Sequence, residues 1–127
     1  MLSFSMINKK FLYAVVGAST NEEKYGYKVF KDLLDTGYKV VPIHPTEKEI
    51  LGKKVYTNLS DVKEKIDVVI FVTQPKVTEK VLEEVKILEI KNVWLQPGAQ
   101  SDEAIEFCKK NNIECIHDAC IMIQRTK

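Results

Sequence analysis

Phe11-Leu12-Tyr13-Ala14-Val15-Val16-Gly17-Ala18-Ser19-Thr20 is the stretch from which the fold can be read. From Phe11 to Val16 every side chain is apolar or aromatic and none is charged. Such a run suits a central strand covered on both faces, because neither face has to meet water. Gly17-Ala18-Ser19 then removes bulk where the backbone must turn, and leaves N–H groups open to a ligand. A helical pattern begins near Tyr25. Strand, small-residue loop and helix, in that order, form the phosphate-binding unit of doubly wound sheets, with the helix N-terminus facing the anion.

Outward from this unit the chain repeats strand and helix. A strand at Leu12–Val16 leads to a helix over Gly26–Thr36, with Val29, Phe30, Leu33 and Leu34 on one face and Gly37 at its end. A second strand, Tyr38–Ile43, stops at His44-Pro45. Thr46–Gly52 reads as a polar loop anchored by Ile50 and Leu51, Lys53–Tyr56 as a short edge strand, and Ser60 as the cap of a short helix through Lys65. The apolar run in Asp67–Val72 is a further buried strand. Thr73-Gln74-Pro75 opens a helix to about Glu89, with Val77, Val81, Leu82, Val85 and Leu88 near a 3.6-residue period. Asn92–Leu95, a helix capped by Ser101 and ended by Asn111 or Asn112, and Ile113–Ile116 complete the series. This order predicts one α/β domain, Rossmann-like, with a doubly wound, mostly parallel sheet in three layers over residues 11–127, preceded by an N-terminal arm at 1–10. Right-handed crossovers place the second strand on one side of the first and Asp67–Val72 on the other. The crevice between them is the switch point, flanked by Gly17–Ser19 and Thr73–Pro75, with Gln96–Gly98 further along the rim.

Composition narrows the function. The chain has 127 residues, 45% apolar, enough for one compact core. Nineteen basic and 18 acidic residues leave a net charge of +1, which gives no footprint for nucleic acid. No apolar run approaches the ~20 residues of a membrane span, and Met1–Lys10 lacks the pattern of a signal peptide, so a cytoplasmic protein is expected. Three cysteines, Cys108, Cys115 and Cys120, without a CxxC pair, argue against a disulfide framework or a zinc site.

The rim residues disfavour NAD. Gly17 stands alone, Ser19 occupies the place of a second glycine, and His44-Pro45 stands where an acidic residue would take a ribose hydroxyl. A phosphate cradle remains: the N–H groups of Ala18 and Ser19, the Ser19 hydroxyl, and Lys24 near the helix start. Gly26 allows the helix a close approach. Tyr25 covers a base or pantetheine chain, or is a half-exposed core aromatic. Lys48, Lys53 and Lys54 suit a phosphate on the ribose, or are solvated surface lysines. Ser19 is not in a G-x-S-x-G elbow, and neither His44 nor His117 has an evident catalytic partner beyond Asp118. No metal motif is present, and no independent catalytic machinery is expected.

Val16-Gly17-Ala18-Ser19, Lys24-Tyr25-Gly26-Tyr27, Pro42-Ile43-His44-Pro45, Ile50-Leu51-Gly52, Trp94-Leu95-Gln96-Pro97-Gly98 and Asp118-Ala119-Cys120-Ile121 occur in one order and spacing. Over roughly Phe11–Gln124 the chain resembles the small stand-alone CoA-binding proteins of the YccU-like group. It is also similar to the N-terminal domain of the succinyl-CoA synthetase alpha subunit. The resemblance implies coenzyme A as ligand, with its pyrophosphate on Gly17, Ala18 and Ser19. It implies that the adenosine 3′-phosphate lies by the segment after Pro45 including Lys48, that Val72, Thr73 and Pro75 line the crevice, and that Gln96, Pro97 and Gly98 flank the pantetheine arm. The chain departs from the family pattern at His44, where Asn commonly stands, and at Thr73-Gln74, where basic residues are frequent. The synthetase's phosphorylated histidine lies on a further domain, so synthetase chemistry is not expected of this chain and His117 takes no such part. Cys120 is a structural thiol or, on the rim, one end of a mixed disulfide with CoA. The expected function is holding CoA or acyl-CoA for storage, sensing or presentation, with a protein partner or a homodimer as the expected assembly. The alternatives are a subunit of an acyl-CoA ligase or transferase completed by another chain, and an NAD(P)- or nucleotide-binding regulator.

Overall fold

The computed structural model describes residues 6–127; residues 1–5 of the expected arm lie outside that range. In chain order the elements are β1 (Leu12–Val16), α1 (Tyr25–Asp35), β2 (Lys39–Ile43), β3 (Glu49–Ile50), β4 (Lys53–Lys54), β5 (Val68–Phe71), α2 (Pro75–Ile87), β6 (Asn92–Leu95), α3 (Asp102–Lys110), β7 (Glu114–Ile116) and α4 (Ile121–Gln124). The main sheet has five parallel strands in the order β2-β1-β5-β6-β7. It is a doubly wound, Rossmann-like α/β arrangement, and β1 lies between β2 and β5 as the crossover argument requires. Among the described residues no helix is long and apolar enough to cross a membrane.

Strand alternation builds two cores from one sheet. Leu12, Ala14, Val16, Val69 and Phe71 face the layer of α2 and α3, where Leu82, Val85, Ala104 and Cys108 are buried. Tyr13, Val15, Val68, Ile70 and Trp94 face the opposite layer, built from Val29, Phe30 and Leu33 of α1 and Ile121 of α4. Both faces are dry, which is why these strands read as unbroken apolar runs. Pro42 is tolerated because β2 is the sheet's edge strand. Tyr56 covers that edge: its N–H donates to the Pro42 carbonyl at 3.0 Å, and its carbonyl accepts the His44 N–H at 3.0 Å.

Several sequence expectations shift. Lys53–Tyr56 does not form a four-residue strand; Lys53–Lys54 pairs antiparallel with Glu49–Ile50 in a separate ribbon. Ile50 alone anchors that ribbon, since it is buried while Leu51 is exposed with φ 50°. Ser60 caps no helix. Asn58 and Asp61 form a capping box around a single 3-10 turn, Leu59–Asp61. The Glu84 carboxylate of α2 then takes the N–H groups of Leu59 and Ser60 at 3.1 and 3.2 Å. On α2 Val77 is exposed, as is Leu88 just past its end, and Thr78 is buried in their stead. Ser101 does cap α3, accepting the Ala104 N–H at 3.0 Å. The short helix α4 has no counterpart among the sequence expectations. It is clasped to α1 by a bidentate pair, Arg125 Nε and Nη2 donating to the Asp32 carboxylate at 2.7 Å each.

Met6 is buried, and its carbonyl accepts the Tyr13 hydroxyl at 2.6 Å. The Tyr13 hydroxyl oxygen in turn accepts the Asn8 N–H at 2.9 Å. Burial is the main cause that pushes the Tyr13 phenol from 10.0 up to about 12. The folded value lies above the unfolded one, so unfolding releases this proton in that interval. The stabilisation is therefore complete below pH 10 and is lost as pH rises towards 12. Tyr13→Phe is expected to flatten the fall of the melting temperature over that interval, while lowering it at neutral pH. An equally steep fall in the variant counts against this assignment.

Candidate functional site

The crevice lies at the C-terminal ends of β1 and β5, where the winding of the sheet reverses. The Gly17 N–H donates to the Ile43 carbonyl at 3.1 Å and the Val72 N–H to the Val16 carbonyl at 2.9 Å, so three strand ends are tied at this point. The chain packs here without room for side chains. A Cβ on Gly17, whose φ is +94°, would stand 2.2 Å from the Val72 carbonyl oxygen. A Cβ on Gly26 would stand 1.9 Å from the Gly17 carbonyl oxygen. The first turn of α1 thus rests on the loop that follows β1. Gly26 serves that contact between helix and loop.

This packing leaves donors open. Among the described residues, the N–H groups of Ala18, Ser19, Tyr25 and Gly26 have no acceptor. Ala18 is wholly buried, so its N–H is screened from solvent as well; such orphaned donors are rare in native proteins. Helix α1 has no side-chain cap at Lys24, nor has α2 at Gln74, and both begin at this rim. Their positive ends favour an anion there. The Ser19 oxygen already accepts the Asn21 N–H at 3.0 Å, which leaves its hydroxyl hydrogen free to donate.

Other rim residues have more particular placements. His44 Nδ1 accepts the N–H groups of Thr46 and Glu47 at 3.1 and 3.0 Å. That puts the neutral ring's proton on Nε2 and makes His44 the staple of the turn through Pro45, a task an Asn side-chain oxygen could also perform. Lys48 is exposed, and its carbonyl holds the Val55 N–H at 3.0 Å. Lys54 lies 5.3 Å over the Tyr56 ring and Lys28 5.2 Å over the exposed Tyr25 ring. Thr73 and Thr78 hydroxyls are 2.7 Å apart. Thr78 Oγ1 also lies 3.3 Å from the Gln74 carbonyl, to which its hydroxyl can donate. Thr73, Val72 and Pro75 are all partly buried at this wall of the crevice.

Gln96 differs from the expectation that it flanks a ligand chain. It is 4% exposed, its Oε1 accepts the Ile121 N–H at 2.8 Å, and its Nε2 donates to Cys120 Sγ at 3.3 Å. Both ends of the amide are engaged, so Gln96 positions α4 and Cys120, and only Pro97 and Gly98 are exposed at this turn. His117 and Asp118 pair at 2.5 Å on the far rim. Cys108 is buried and Cys115 partly so; the adjoining Cys108 thiol and burial hold the Cys115 thiol above its ordinary range. Among the described residues no group of three or more His, Cys, Asp or Glu could hold a metal ion. One contact had no signal in the sequence: the Thr20 hydroxyl donates to Glu47 Oε1 at 3.1 Å across 27 residues.

Sheet order, open amides and the uncapped α1 together define a Rossmann-like α/β domain with an anion-receptive crevice at its switch point. The chain belongs to the CoA binding domain family, whose model it matches over residues 12–126. It is 34% identical over 121 residues to the ADP-forming acetate–CoA ligase of Methanocaldococcus jannaschii, covering 89% of this chain but 17% of that protein's length. It is 31% identical over 110 residues to the uncharacterized protein YneT of Bacillus subtilis, covering 87% of this chain and 82% of YneT. Among solved structures, a conserved hypothetical protein of Pyrococcus furiosus superposes with a TM-score of 0.87 at 39% identity, covering 90% of this chain and 98% of that one.

Proposed function

We propose that this protein binds coenzyme A or an acyl-CoA at the β1–β5 crevice and presents it to a partner or holds it in reserve, without catalytic groups of its own. The observation that carries this reading is the cluster of unbonded N–H groups at Ser19, Tyr25 and Gly26, at the uncapped start of α1 and over the buried Ala18. A diphosphate satisfies such donors, and the free hydrogen of Ser19 adds a further one. In this reading Gly17, Ala18, Ser19, Lys24, Tyr25 and Gly26 surround the pyrophosphate. His44, Pro45 and Lys48 border the adenosine side, and Val72, Thr73 and Pro75 line the crevice wall. Pro97 and Gly98 flank the pantetheine, with Gln96 behind them.

Isothermal titration with coenzyme A, dephospho-CoA, NAD and NADP tests the reading. Coenzyme A is expected to bind most tightly, with dephospho-CoA weaker through loss of the 3′-phosphate. Equal or tighter binding of NAD sinks it.

Similarity to an ADP-forming acetate–CoA ligase favours a second reading, in which this chain is the CoA-binding part of an acyl-CoA ligase completed by another chain. Co-purification with mass spectrometry, followed by an ADP-forming ligase assay on the assembled complex, distinguishes the two.

A further inference from the structure

We propose that Glu47 is a positioning residue that locks the phosphate loop in its receptive shape from across the crevice. The chain of contacts has two links. His44 Nδ1 holds the Thr46 and Glu47 N–H groups, fixing the Glu47 backbone just past the end of β2. The Glu47 carboxylate then accepts the Thr20 hydroxyl at 3.1 Å, one residue beyond Ser19. Within the loop, Ser19 Oγ accepts the Asn21 N–H at 3.0 Å, Asn21 Oδ1 accepts the Glu23 N–H at 3.0 Å, and the Asn21 carbonyl accepts the Lys24 N–H at 3.0 Å. These bonds are all local to the loop, and every residue from Thr20 to Lys24 is exposed. The Thr20–Glu47 bond is the side-chain tie between this loop and the segment after β2.

A carboxylate beside an anion seat is at first sight misplaced, since it repels a diphosphate. Its use lies in the acceptor oxygen. A loop already held in place loses less conformational freedom when a ligand arrives. The oxygen and the charge can be separated: Gln at position 47 keeps an acceptor for Thr20 and removes the charge, whereas Ala removes both.

The test is made on the ligand-free protein, by amide hydrogen exchange resolved at Asn21, Glu23 and Lys24. Glu47→Ala is expected to speed exchange at these amides about fivefold, the factor that one ordinary net hydrogen bond of about 1 kcal/mol converts to. Glu47→Gln is expected to stay close to the wild type. Thr20→Val is expected to match Glu47→Ala, and the double variant to go no further, because both remove one bond. Exchange in β5 serves as the reference and is expected not to change. No change at the loop overturns the proposal, as does a rise that β5 shares. Additive effects of the two single variants, or a Gln variant as fast as the Ala variant, overturn it too. The consequence for affinity rests on the coenzyme A reading: Glu47→Ala is expected to weaken coenzyme A binding by a similar factor. Failure of the wild type to bind coenzyme A sinks that reading and leaves the exchange result to decide the role of Glu47.

Discussion

Gly26→Ala is expected to destabilise the protein by about 3 kcal/mol or more and, on the coenzyme A reading proposed above, to remove binding at the crevice. The added Cβ would lie 1.9 Å from the Gly17 carbonyl oxygen, with the Gly17 carbonyl carbon at 3.0 Å and the Ala18 Cα at 3.4 Å. All three atoms are backbone, so no side chain can rotate away. Either α1 lifts off the loop or the loop shifts, and both displace the amides of Ala18 and Ser19. Gly17→Ala meets the Val72 carbonyl oxygen at 2.2 Å and also carries φ +94°, so a similar loss is expected there. Gly52→Ala is the control. Its φ is +77° but nothing lies within 4 Å, so backbone strain of about 1 kcal/mol is the whole expected cost. For a domain of this size the two crevice variants should melt roughly 10 °C lower. Differential scanning calorimetry and coenzyme A titration read the two effects together. A Gly26→Ala protein with wild-type melting and binding would show that the loop is not held as described.

Trp94→Ala is expected to cost about 3–5 kcal/mol. Trp94 is wholly buried in the face covered by α1 and α4, and its Nε1 donates to the Ala119 carbonyl at 2.9 Å. Truncation removes the largest side chain of that core and leaves a buried carbonyl without a donor. The Ala119–Cys120 segment that leads into α4 loses its tie to the sheet, and Gln96 with it loses a fixed partner. Trp94→Phe separates the causes: it keeps most of the ring's volume and forfeits the hydrogen bond, at about 1–3 kcal/mol. Urea unfolding checks both, with the midpoint falling at unchanged slope. An alanine variant within about 1 kcal/mol of the wild type would overturn the account of this core.

Much of the architecture is legible in the sequence. The runs in β1 and β5 read as buried strands because each is covered on two faces, and α1 and α3 end shortly before Gly37 and Asn111. Their stop and start signals are local, and Ser101 caps α3 as its position suggests. Weaker segments are less legible. The ribbon of β3 and β4 has two residues in each strand, too few for an alternating pattern, and Leu51 faces solvent because the turn between them places it at φ 50°. Helix α4 has four residues, a single turn in which no apolar period can repeat, and is held by Asp32 reaching Arg125 across 93 residues.

The candidate site divides in the same way. Gly17, Ala18, Ser19 and Gly26 announce themselves because removal of side-chain bulk is a property of each residue on its own. Which bulk had to be absent is a tertiary matter: the Gly26 space is filled by the Gly17 carbonyl. The direction of Gln96 into the core and the bond from Thr20 to Glu47 were decided by the fold alone. Sequence by itself determined the strand–helix order, and with it the placement of a small-residue loop at a switch point, since apolar periodicity and residue size act over a few neighbours. The tertiary structure decided how the polar atoms around that loop are shared out. A hydrogen bond between residues 25 or 27 apart depends on where the sheet brings them, and no local pattern carries that information.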